Sequence, residues 1–143
     1  MSRHALVAMD YSERSKDALR AALEDVPEGE ITVLHVIDFR SSDLGPGGFG
    51  GANAWRDWLE AARDHADELF EEARTIADEY DREIATETVV GEDSRSILEY
   101  ADEHDVDRVY VGSHGRRGVA RILLGSVAET VVRRSPVPVT VVR

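Results

Sequence analysis

The sequence predicts an α/β fold: a single domain on an open five-stranded parallel sheet with helices on both faces. Three observations predict it. Short apolar runs alternate with stretches of helical periodicity along the chain. Runs such as Ile31 to Ile37 are almost continuously apolar, as strands covered on both faces require. The segments between runs are long enough to carry a helix each, so successive strands can run parallel through right-handed crossovers.

Ala5 to Met9 reads as the first strand, and Asp10-Tyr11-Ser12 breaks it. Ser12 can cap a helix whose apolar positions Ala18, Leu19, Ala22 and Leu23 recur at helical spacing until Pro27-Glu28-Gly29. Ile31 to Ile37 is the second strand. Ser41 to Asn53 has no periodicity and five glycines, which predicts a loop. A long helix follows from about Ala54, with Trp55, Trp58, Leu59, Ala62, Ala66, Leu69, Phe70, Ala73, Ile76, Ala77 and Tyr80 on one stripe. It is long enough to cross the sheet and project past it. Trp55 and Trp58, one turn apart, fit either core packing or a contact surface.

Glu83 to Val90 reads as the third strand, Gly91 to Asp93 as a turn, and Ser94 to His104 as a helix carrying Ile97, Leu98 and Ala101. Val106 to Val111 is the fourth strand. Pro136-Val137-Pro138 stops the last helix, and Val139 to Val142 is a short final strand.

Composition narrows the function. The chain has 143 residues and no cysteine, which excludes disulfides and thiolate chemistry. No apolar run reaches about 18 residues, and no signal peptide is visible before the first strand, so a cytoplasmic location is expected. A net charge of −12 argues against nucleic-acid and anionic-membrane partners. Lys16 is the only lysine, and abundant carboxylates on a lysine-poor surface suit high salt, where a Debye length of about 3 Å screens self-repulsion. Biased codon use is the competing explanation.

The chemistry concentrates between Arg108 and Ser135. A strand runs into Gly112-Ser113-His114-Gly115, and after nine residues Gly125-Ser126 opens a helix that extends to about Arg134. Small residues that leave backbone N–H groups uncovered, backed by a helix N-terminus, make a place for phosphate. The same glycines also fit turns or caps needing positive φ. Ser126-Val127-Ala128-Glu129 reads as a capping box as well. Five arginines, at 116, 117, 121, 133 and 134, face one carboxylate, Glu129, giving this stretch a local charge of +4. His35 reads as a core histidine. Gly45 to Gly50 matches G-x-G-x-x-G literally, but lies well past the end of its strand and is discarded. No P-loop motif and no metal-ligand cluster occurs in the sequence.

The spacing Gly112-x2-Gly115-x9-Gly125-Ser126 directly after a strand resembles the nucleotide-binding motif of the universal stress protein family. Ala5 to Leu19 and Ile31 to Asp38 resemble that family's first strand and helix and its second strand, so the likeness covers the whole chain. The resemblance implies an adenine nucleotide alpha hydrolase-like sheet of order 3-2-1-4-5, with ligand at the reversal between strands 1 and 4. It implies an ATP-binding switch or sensor with at most slow hydrolysis, magnesium arriving with the triphosphate. Asp10 is then expected at the ribose, although an Asx turn or cap is its simpler role. Val36 is expected to meet the adenine through its backbone. Gly112, Ser113, His114, Gly115, Arg116, Gly125, Ser126 and Val127 are expected around the phosphates, with Arg117 beside them. Family members pair the last strand with its copy about a two-fold axis, so a homodimer is expected. The alternative function is a dimeric interaction module of the same fold that does not use ATP.

Overall fold

A computed structural model of the chain describes residues 3–38, 51–113 and 125–143. Its elements follow in the order β1 (His4–Ala8), α1 (Glu13–Asp25), β2 (Glu30–Ile37), α2 (Gly51–Asp78), β3 (Ala85–Val90), α3 (Asp93–Glu103), β4 (Arg108–Gly112), α4 (Ser126–Arg134) and β5 (Val139–Val142). All five strands lie in one sheet of order β3-β2-β1-β4-β5, and each neighbouring pair is parallel. The predicted fold class and strand order are those observed.

Alternation along the strands sorts the core into two layers. Ala5, Val7, Ile31, Val33 and Tyr110 pack with α1 and α2 on one face. Leu6, Leu34, Val109 and Val111 pack with α3 and α4 on the other. Leu6, Val7, Val33, Leu34 and Val109 are wholly buried. Each contributes about 1.5–3 kcal/mol of burial, which explains why the central strands are apolar at nearly every position. Tyr110 is polar only at its tip: its Oη donates to Asp25 Oδ2 at 3.0 Å. Burial and the adjacent carboxylate push the phenol up to about 12, so it stays a protonated donor across the physiological range.

Several boundaries and caps differ from those expected. Helix α2 begins at Gly51, inside the segment read as loop. The rest of that loop, 41–50, lies outside the described residues. At 28 residues α2 is about 42 Å long. Its fully buried positions begin only at Ala66, and before it Ala54, Trp58, Leu59 and Ala62 are half-buried. Trp55 and Trp58 stack there, ring centroids 5.1 Å apart, with Trp55 at 36% exposure; they are not core residues. His35 is buried, with Nδ1 2.8 Å from the Met9 carbonyl oxygen.

Positive φ is not what the two described glycines of the motif, Gly112 and Gly125, supply. Among the described glycines only Gly29 has it, at +120°, where the chain turns into β2 beneath Arg3. Gly112 is required for a different reason. A Cβ there would stand 2.8 Å from Arg14 Cβ and 2.9 Å from the Arg14 carbonyl carbon, so β4 and the first turn of α1 touch backbone to backbone.

Candidate functional site

The order β2-β1-β4 sends crossovers to opposite faces on either side of β1, and the chain parts at the carboxyl ends of these strands. A crevice of about 460 Å³ opens at that point. One wall carries Leu34 and Val36 of β2 with Asp93 and Ile97 of α3. The other carries Val111 and Gly112 of β4 with Gly125 to Ala128, and Asp10, Ser12 and Ser15 close the middle.

Asp10 stands where β1 ends, held in an Asx turn. Its Oδ1 accepts from the Ser12 N–H at 2.8 Å and from the Ser12 hydroxyl. Ser12 Oγ in turn accepts from the Ser15 N–H at 3.2 Å, so Ser12 caps α1 as the sequence suggests. The turn engages only Oδ1 among the described contacts. Oδ2 is left to accept from a ligand hydroxyl, so the capping role and a binding role do not compete.

The start of α4 differs from the expected capping box. The cap is Gly125, at φ −66° and ψ 163°, and Ser126 is the first helical residue. Among the described residues no side chain caps the helix. The Gly125 N–H donates to the Ser113 carbonyl, and the first helical bond runs from the Glu129 N–H to the Gly125 carbonyl at 2.9 Å. Glu129 lies along the helix instead of reaching back, its Oε1 2.8 Å from Arg133 Nη2. The N–H groups of Ser126, Val127 and Ala128 therefore lack intrahelical acceptors and open on the crevice with the positive end of the helix dipole. An anion placed there would satisfy them.

Val36 contributes backbone. The Met9 N–H donates to the Leu34 carbonyl at 2.9 Å, which turns Leu34 toward β1, whereas the Gly91 N–H donates to the Ile37 carbonyl on the β3 side. By alternation the N–H and C=O of Val36 face the β1 side, one step past the last bond of β2 to the β1 end, Met9 N–H to the Leu34 carbonyl. A donor and an acceptor thus sit side by side on the crevice wall.

Asp10, Val36, Gly112, Gly125, Ser126 and Val127 are brought together. Ser113 is not: it is buried beneath, its N–H donating to the Val142 carbonyl at 2.8 Å. His114, Gly115, Arg116 and Arg117 lie outside the described residues. Ser15, Asp93 and Ile97 line the crevice without having been singled out. Asp93 was open to the same reasoning as Asp10, since it too follows a strand at the carboxyl edge of the sheet.

The family model described as "Universal stress protein family" matches residues 1–143. The chain belongs to the universal stress protein family. Universal stress protein MJ0577 of Methanocaldococcus jannaschii is 31% identical over 155 aligned positions, covering 100% of this chain and 96% of the relative. The solved MJ0577 structure superposes with a TM-score of 0.80 at 28% identity, over 99% of this chain and 96% of that one. A universal stress protein solved in complex with cAMP superposes with a TM-score of 0.68 at 26% identity, over 99% and 97%.

Proposed function

We propose that this universal stress protein binds ATP and acts as a nucleotide-dependent switch or sensor in a stress response. The observation that carries the reading is the uncapped start of α4, opening across the crevice from Asp10 at the reversal of the sheet. In this reading the amides of Ser126 and Val127 hold phosphate, with the Ser126 hydroxyl beside them. Asp10 Oδ2 accepts from a ribose hydroxyl. The Val36 N–H and C=O pair with the acceptor and donor on an adenine edge. The cAMP complex of a relative at 26% identity supports an adenine nucleotide as the ligand. His114, Gly115 and Arg116 join the site through the motif, and magnesium arrives with the triphosphate.

Hydrolysis is at most slow, because the phosphate end, among the described residues, is built from backbone amides and a serine hydroxyl. The carboxylates of the described crevice, Asp10 and Asp93, belong to the β1 end and to α3. The protein acts in the cytoplasm as a homodimer joined through β5, whose half-buried valines and free edge suit pairing with a second copy. No described helix is long and apolar enough to cross a membrane.

The test is calorimetric titration with ATP and with adenosine. ATP is expected to bind on the order of 100-fold more tightly, since two or more charge-assisted bonds are lost without the phosphates. Equal affinities, or no binding of either, would refute the reading.

A further inference from the structure

We infer that Ser15 is the positioning residue of the ribose contact: its buried hydroxyl fastens the main chain of Asp10 to α1 and so aims the Asp10 carboxylate at a ribose hydroxyl. The inference rests on the nucleotide reading above and deepens it, adding to the residue that would touch the sugar the one that holds it in place.

The β1–α1 connection grips Asp10 through two separate sets of bonds. Ser12 holds the side chain, with its N–H and its hydroxyl both on Oδ1. Ser15 holds the main chain. Its Oγ lies 2.9 Å from the Asp10 carbonyl oxygen and 2.9 Å from the Ser12 carbonyl oxygen, and it accepts from the Asp10 N–H at 3.3 Å. A hydroxyl has a single hydrogen, which the two carbonyls share, so Ser15 acts through Asp10 although it lines the crevice. The Asx turn alone fixes Asp10 relative to Ser12, and the pair could still swing together about the end of β1. Ser15 removes that freedom because it is itself immobile. It is 2% exposed, it lies in the first turn of α1, and its own N–H donates to the capping Ser12 Oγ at 3.2 Å. The same turn rests on β4, where a Cβ added to Gly112 would stand 3.1 Å from the Ser15 nitrogen. The carboxylate is thereby tied to the strand that leads to the phosphate side of the crevice, and the span between sugar and phosphate contacts is set by packed backbone. Such a contact tolerates only about 0.5 Å of misplacement.

The experiment compares ATP with 2′,3′-dideoxy-ATP, which lacks both ribose hydroxyls, by calorimetry on the wild type, Ser15→Ala and Ser15→Cys. The wild type is expected to prefer ATP by about tenfold, the value of one hydrogen bond to a charged acceptor. Ser15→Ala is expected to bring the ratio of affinities close to one while the affinity for the dideoxy nucleotide is retained, since the α4 amides are untouched. Ser15→Cys fills the same space with a weak hydrogen-bonding group and is expected to lose the preference too, which separates the hydroxyl from the packing. Asp10→Ala is expected to abolish the preference by itself, and adding Ser15→Ala to it to change the ratio no further. A serine with a merely structural role would lower the melting temperature and both affinities together. A wild-type ratio in either folded Ser15 variant would therefore overturn the inference and leave the Asp10 contact standing. Equal binding of the two nucleotides by the wild type would overturn the ribose contact and the inference with it, and binding of neither would overturn the nucleotide reading itself.

Discussion

Gly125→Val is expected to lower ATP affinity by on the order of 100-fold while leaving the fold in place. The two halves of this expectation have separate causes. Gly125 sits at φ −66° and ψ 163°, a conformation open to any L-residue, so valine enters without backbone strain. The cost to the helix is that of a poor cap, about 1 kcal/mol, or a shift of a few degrees in melting temperature. The branched side chain nevertheless stands at the mouth of the α4 amides, where it shields them from an anion and occupies the space a phosphate needs. Losing two charge-assisted hydrogen bonds is worth about 3 kcal/mol, which sets the 100-fold figure. Titration with ATP reads the affinity and calorimetric melting reads the fold. Retained affinity in a folded variant would separate Gly125 from the ligand.

Gly112→Val is expected to behave in the opposite way, damaging the fold first. The 2.8 and 2.9 Å approaches involve the Cβ and carbonyl carbon of Arg14, and the Ser15 nitrogen is at 3.1 Å. Backbone of this kind cannot swing aside, so α1 must move off β4. Overpacking of this severity costs about 3 kcal/mol, or roughly 10 °C in melting temperature for a domain of this size. Because the first turn of α1 also carries the Ser12 and Ser15 contacts that fix Asp10, nucleotide affinity should fall with it. A variant as stable as the wild type would show that the close approach is not needed. The two glycines thus have different physical tasks: Gly112 lets two backbones meet, and Gly125 leaves a helix end open.

That difference marks where reading the sequence succeeds and where it stops. The continuous apolar run at Ile31–Ile37 announces a strand buried on both faces, and Ser12 announces a cap, because both signals act over one or two turns of chain. Strand order came from resemblance to a family, since nothing in a strand's own residues names its neighbour. The start of α4 shows the limit. Ser126 and Glu129 have the identity and spacing of a capping box, yet the helix begins one residue earlier in register because the Gly125 N–H is drawn to the Ser113 carbonyl. Glu129 is then free to pair with Arg133. Gly112 reads as a turn glycine for a similar reason: the residue it must avoid, Arg14, is almost a hundred positions away. Asp93 escaped notice because an aspartate at a helix start has a sufficient local explanation, and only the folded sheet sets it beside Val36.

The most direct measurement is a crystal structure of the protein grown with ATP. It is expected to show a phosphate within hydrogen-bonding distance of the Ser126 and Val127 N–H groups, the ribose hydroxyls at Asp10 and the base against Val36. A crevice filled by the protein's own side chains, or a nucleotide seated away from the α4 amides, would contradict the account.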